Sequence, residues 1–310
     1  MSKVLRQLTT IQRSGTIAIM GTLCSAPTNS LDVCTFLLPA VSTVEKWCLH
    51  AATHLAAVLL KHPLYKQIRT NISCYAMHHS TPIQILFANF THNPKLIEKK
   101  PTKLQNPVQR GLLPFITNIL PTKEALVREA MQAWEVIKIF SDSSAIKGNV
   151  GATAILTRAG QLHHTLHYHL RPDSEHMVHK AELIGILLAV HLVQTKANAK
   201  VSITIGVDNQ AALGSSNMEL NNLAHNMARE IIRQCNILKK GIVHKAHQIT
   251  LQWTAGHKGI PGNKLTDLEA KKAAEGLTSD KHTLLCFLRC KLTINPSAVK
   301  QKHDVDLKNK

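Results

Sequence analysis

VIKIFSDSSAIKGNVGATAILTRAGQLHHTLHYHL, residues 136–170, contains three short runs of strand character separated by glycine-marked turns. Val136 to Phe140 is apolar and ends at Ser141-Asp142. Gly148 and Gly151 flank a turn, Ala152 to Leu156 is a second run, Gly160 opens another turn, and Leu162 to Leu170 alternates as a third. Connections this short join antiparallel neighbours, so the stretch predicts a three-stranded meander.

The texture then changes. Met177 to Gln194 reads as a long helix, apolar on nearly every side between Leu183 and Val193 and therefore buried. Val201 to Val207 is a strand, Asn221 to Lys240 an amphipathic helix, Ile249 to Trp253 a last strand and Asn263 to Glu275 a last helix. The order βββ-α-β-α-β-α predicts an α/β domain with a mixed sheet flanked by helices over residues 131–278. Upstream, residues 1–75 carry helical apolar stripes, with Thr43 placed to cap a helix whose apolar side includes Val44, Trp47, Ala51 and Leu55. Residues 76–130 are rich in proline and read as a connector, and 279–310 as a basic C-terminal tail.

Composition narrows the class. Hydrophobic residues are 44% and charged residues 18%, which excludes a disordered, collagenous or coiled-coil chain. Lys and Arg number 37 against 19 Asp and Glu, a formal charge of +18 that favours polyanionic partners, nucleic acid before membrane. Residues 131–275 are the exception and hold 11 of the 19 acids. The 7 cysteines lack zinc-ligand spacing and read as reduced thiols of an intracellular protein. His163, His164, His167 and His169 read as polar strand residues rather than ligands. No segment predicts a secretory signal or a membrane span.

Four acids stand where this topology brings strand ends and helix starts together: Asp142 closing the first strand, Glu182 in the first turns of the buried helix, Asp208 after the fourth strand, and Asp267 on the last helix. Alone, each has an ordinary role, as turn former, cap or surface charge. Together they repel, and a fold tolerates that repulsion when cations neutralise it. Oxygen ligands without cysteine suit Mg²⁺, with Mn²⁺ as the alternative, and a pair of such ions serves phosphodiester hydrolysis.

Four blocks, FSDSSAIKGNVGATAIL, HKAELIGILLAVHLV, IGVDNQAAL and LQWTAGHKGIPGNKLTDLEAKKAA, resemble the successive motifs of type 1 ribonuclease H domains, particularly those of retrotransposon polyproteins. The resemblance covers about residues 134–275 and implies a five-stranded mixed sheet and an Mg²⁺-dependent endonuclease. That enzyme would cut the RNA strand of RNA–DNA hybrids by a two-metal mechanism, leaving 3′-hydroxyl and 5′-phosphate ends. It assigns metal-binding acids to Asp142, Glu182, Asp208 and Asp267, and a mobile proton-transfer histidine to His257. Asn209 and Gln210 match residues that contact the hybrid's minor groove, and Ser143 and Ser144 join them as substrate contacts. Residues 11–66 are similar to the segment that follows the reverse transcriptase in non-LTR-type polyproteins. The chain is thus expected to be the C-terminal portion of a retroelement polyprotein, with a reverse transcriptase as partner, working in the nucleus or cytoplasm.

The chain departs from the family pattern in places. Ser143 stands where relatives commonly have Gly, and His179-Lys180 precede Glu182 where Tyr and Glu are frequent. Lys239, Lys240, His244, Lys245 and His247 either replace a basic substrate loop or form a solvated helix terminus. The alternative reading is an inactive nucleic-acid-binding remnant. A DNA-cutting integrase or transposase of similar fold is disfavoured by the fourth acid and by His257.

Overall fold

The computed structural model describes residues 3–73, 80–99, 114–118, 137–172, 175–196, 203–217, 225–241, 249–254 and 261–309. The chain divides into two compact units, residues 1–99 with 299–310, and residues 100–298.

The first unit is helical: α1 Lys3–Met20, α2 Thr28–Cys34, α3 Ala40–Ala56, α4 Tyr65–Ser73 and α5 Pro82–Ala88. Proline sets the starts of α2 and α3, where Pro27 and Pro39 take extended conformations at the N-cap. Helix α3 therefore begins three residues before the expected cap Thr43, whose hydroxyl instead donates to the Leu38 carbonyl at 3.3 Å. Ala52, Thr53 and Ala56 form the buried side of α3, whereas Trp47, expected inside, is 64% exposed. Thr81 and Gln84 close a reciprocal capping box on α5.

The second unit is built on one six-stranded sheet: β1 Ile116–Asn118, β2 Ile137–Ile146, β3 Asn149–Arg158, β4 Gln161–Pro172, β5 Ile203–Val207 and β6 Ile249–Trp253. Their order is β1-β6-β5-β2-β3-β4. Strands β1, β6, β5 and β2 run parallel, and β3 is antiparallel to both neighbours. The meander is present with two-residue turns. Lys147-Gly148 and Ala159-Gly160 take positive φ at both positions, the backbone that a tight hairpin with right-handed strand twist requires. The sheet is mixed as expected, but it has a sixth strand, because Ile116–Asn118 pairs parallel with β6 from within the proline-rich connector.

Helix α6, Val178–Lys196, is buried along most of its length, from Lys180 to Val193. Its length and apolarity would suffice to cross a membrane, but its apolar stretch is 72% buried inside the unit. Helices α7 Gln210–Asn217, α8 His225–Gly241 and α9 Pro261–Ala274 complete the unit, and α10 Pro296–Lys308 follows. Successive β2 residues face opposite sides: an ideal Cβ on Gly185 of α6 would lie 3.4 Å from Ser141 Cβ, whereas one on Gly262 of α9 would fall 2.2 Å from the Phe140 ring. Helices α6 and α9 therefore cover opposite faces of the sheet.

Two local findings correct the sequence reading. Gly151 is not a turn flank; it lies inside β3, where the α9 backbone approaches so closely that a Cβ would fall 2.1 Å from Ala274 N. In the segment after 278, read as a basic C-terminal tail, Leu284, Leu285, Leu288 and Leu292 join the hydrophobic core of this unit.

Candidate active site

Asp142 does not end its strand. Strand β2 continues to Ile146 against β3, but its parallel pairing with β5 stops at Ser141 opposite Val207. A crevice opens where that ladder ends, and the residues immediately beyond it on the two strands are Asp142 and Asp208. Trp253 Nε1 donates to the Asp208 carbonyl at 3.0 Å and Thr254 N to the Val207 carbonyl at 2.8 Å, which fixes the backbone on the β5 side.

Glu182 arrives from the first turns of α6. Three residues on, Gly185 lies against the sheet, where a Cβ would stand 3.3 Å from the Asp142 carbonyl oxygen. That absent methyl lets the helix seat closely enough for the Glu182 carboxylate to meet Asp142 and Asp208. One oxygen from each of the three lies within 4.8 Å of the others.

Asp142 and Glu182 are only 8% and 6% exposed. Burial raises the Asp142 carboxyl to about 8, with the charges of Asp208, Glu182 and Asp267 adding to the shift and the Ser143 N–H, donating to Oδ1 at 2.7 Å, opposing it. Burial and then Asp208 raise Glu182 to about 7, opposed by the Ser143 hydroxyl and the Asn209 amide. Asn209 Nδ2 donates to Glu182 Oε1 at 3.3 Å. Glu182 Oε2 and Ser143 Oγ are buried with no hydrogen bond of good geometry, although the hydroxyl is near enough to favour the charged carboxylate.

Asp267 lines the same cavity of about 450 Å³, with Ser141, Ser143, Asn263 and Lys264, but stands outside the tight trio. It is a third exposed and accepts from Lys271 Nζ at 2.8 Å. Asn209 also accepts from Ala212 N at 3.1 Å, so it caps α7 while its amide braces Glu182. Gln210 is exposed and lines an adjoining hollow with Asn209, Asp208 and Trp253. Ser144 is half-buried one residue beyond Ser143 on β2. His257, with His244, Lys245 and His247, lies outside the described residues.

The donor set fits a hard divalent cation. Three carboxylates converge, they raise one another's affinity for protons, and one buried oxygen lacks a donor. Lys180, whose charge is reversed relative to the family pattern, does not intrude; its ammonium is buried and donates to the Thr293 carbonyl. The strand histidines are likewise engaged elsewhere. His167 Nε2 bonds Glu269 at 2.6 Å and His169 Nδ1 meets the Ala273 carbonyl at 3.0 Å, which docks α9 onto β4. Sequence reasoning missed Asn263, Lys264 and Lys271. The signal was available, since Lys264 and Lys271 stand three before and four after Asp267, on one helix face.

Residues 134–275 match the RNase H family. No curated protein sequence matches the chain significantly. Among solved structures, the chain is similar to an N-terminal RNase H domain from Mycobacterium tuberculosis, at 14% identity over 45% of this chain and 93% of that one, with a TM-score of 0.35. It is similar to RNase H1 from Halobacterium salinarum at 12% identity, covering 46% and 98%, TM-score 0.34. The protease–reverse transcriptase of prototype foamy virus is 19% identical over 46% of this chain but only 21% of its own length, TM-score 0.37. The family match falls on the six-stranded unit and includes all four acids, so residues 134–275 of this chain are similar to RNase H domains in sequence.

Proposed function

We propose that the second unit hydrolyses the RNA strand of RNA–DNA hybrids as an Mg²⁺-dependent endonuclease, giving 3′-hydroxyl and 5′-phosphate ends. The observation that carries this reading is the convergence of Asp142, Glu182 and Asp208, with oxygens within 4.8 Å, inside a domain similar in sequence to this family.

Asp142, Glu182 and Asp208 would hold the cations, with Asp267 completing the set from α9. Bound there, a pair of divalent ions supplies Lewis acidity that activates water and stabilises the departing 3′ oxygen. The chain's own residues prepare the site. Asn209 orients Glu182, and the Ser143 N–H orients Asp142. Gln210, exposed beside the acids, contacts the hybrid together with Asn209, Ser143 and Ser144. His257 moves a proton during hydrolysis and product release. The basic remainder of the chain holds the phosphate backbone against an acidic centre that would otherwise repel it. In its larger setting the chain works beside a reverse transcriptase of a retroelement, whose hybrid product is the substrate.

The test is cleavage of an end-labelled RNA–DNA hybrid by the full chain with Mg²⁺ or Mn²⁺, beside Asp142→Asn and Asp208→Asn. Cleavage by the unsubstituted chain alone, with hybrid binding kept in the variants, is the expected outcome. Binding without cleavage by any form would replace the reading with that of an inactive nucleic-acid-binding remnant.

A further inference from the structure

The helical unit gathers part of the chain's general basicity at one cavity, whereas the acidic trio belongs to the other unit. Arg69 on α4, with Lys95 and Lys99 on the segment after α5, lines one cavity whose walls include Leu55, Ile68 and Ile72. None of the three cations forms an ion pair among the described residues. Like charges gathered beside an apolar wall repel one another, and the half-buried Lys99 also loses hydration, an arrangement that a bound anion relieves. Burial and the Arg69 charge both lower the Lys99 pKa, and no acid acts on it in the opposite sense.

The donors are held in place but not exhausted. Lys99 Nζ donates to the Ala56 carbonyl at the end of α3, which leaves two of its three N–H groups. Arg69 Nη1 donates to Tyr65 Oη at 2.6 Å, and the guanidinium lies over that ring, leaving four of its five N–H groups. Lys95 is exposed, and its backbone N–H donates to Asn93 Oδ1 at 3.0 Å, which fixes the chain there and leaves its ammonium free to meet an anion. A guanidinium fork with two ammonium-bearing residues lining the same cavity matches the chemistry of a phosphate's oxygens. The whole unit has 13 Lys and Arg against 5 Asp and Glu, so its net field draws phosphate towards it.

We propose that Arg69, Lys95 and Lys99 form a phosphate-binding site in the helical unit. The same chemistry serves a free phosphate and a phosphodiester of a nucleic-acid backbone, and two arms of one experiment separate these sources. In the first, the thermal midpoint of the full chain is measured in inorganic phosphate and in chloride of equal ionic strength, for the unsubstituted chain, Arg69→Gln and Lys95→Gln. Phosphate raises the midpoint of the unsubstituted chain, and each substitution abolishes that rise. In the second, binding of a fluorescent single-stranded oligonucleotide is followed against salt, and each lost contact flattens the slope of log affinity by about 0.7.

Response in both arms assigns the site to nucleic-acid backbone, and response in the first arm alone assigns it to free phosphate. Variants that match the unsubstituted chain in both arms overturn the proposal. Lys95 is exposed, so Lys95→Gln keeps the test decisive even where Arg69→Gln disturbs the Tyr65 contact. Neither arm requires hybrid cleavage, so failure here is distinct from failure of the nuclease reading.

Discussion

Asp142→Asn is expected to abolish cleavage and, without divalent metal, to make the protein more stable. In the unfolded chain Asp142 ionises near 3.8, whereas in the fold burial and its acidic neighbours raise it to about 8. Between these values the folded state binds the extra proton, so stability falls as pH rises from about 4 to about 8. At pH 7 the difference spans about three pH units, and at about 1.4 kcal/mol per unit the upper bound on the penalty is about 4 kcal/mol. Asparagine keeps the shape and can still accept from the Ser143 N–H, but carries no charge. We expect Asp142→Asn to be roughly 2–4 kcal/mol more stable than the parent at pH 7.5 in EDTA, measured by urea unfolding. The gap should close towards pH 4, where both forms are neutral at this position. It should also narrow as Mg²⁺ is added, because a cation that binds only the folded parent stabilises it. A variant no more stable than the parent in EDTA at pH 7.5, or a gap unchanged at pH 4, would refute the claim that the acids are held together against their repulsion.

Gly151→Ala should destabilise the second unit by at least about 3 kcal/mol, read from the urea midpoint, because the new methyl would fall 2.1 Å from the Ala274 backbone nitrogen. Ala159→Gly should stabilise it by roughly 0.5–1 kcal/mol, since Ala159 holds φ 48 in a tight hairpin where a Cβ is unfavourable; a scan of thermal midpoints checks this. Lys271→Met removes the ammonium 2.8 Å from Asp267 and should lower the Mg²⁺ concentration at half-saturation roughly threefold by calorimetry, with little change in unfolding.

The parts of the fold legible in the sequence were those with sustained period. The alternating meander and the all-round apolar α6 declared themselves, as did the amphipathic α8. Ile116–Asn118 was not legible, because three residues cannot display alternation and prolines surround them. Gly151 was misread for a different reason. A glycine serves either a turn or a close approach, and only the position of α9 distinguishes the two. The leucines of residues 284–292 were hidden by the basic composition around them, since local charge does not reveal which side of a short segment meets the core.

For the site, the residue types were legible but not the division of labour among them. Asp142, Glu182 and Asp208 come together because the β2–β5 ladder ends beside a glycine-seated helix. Asp267 is engaged by Lys271, an ion pair at helical spacing that reading for acids alone passes over. Asn209, read as a substrate contact, also donates to Glu182 and accepts at the start of α7, a bracing role that the sequence alone does not display.

The two margins of the sheet bear on how the protein avoids self-assembly. On one side, His167 N donates to Ser279 Oγ, Ser279 N donates back to the His167 carbonyl and His169 N donates to Thr278 Oγ1 at 3.0 Å, so β4 offers fewer free amides to an incoming strand. On the other, β1 is three residues long, with Pro114 before it and Pro121 after it in sequence. A strand that short, between residues that cannot donate a backbone hydrogen bond, is a poor template for a foreign chain. The sheet thereby gains protection from amyloid-like stacking at the margins where an open sheet is most vulnerable to it.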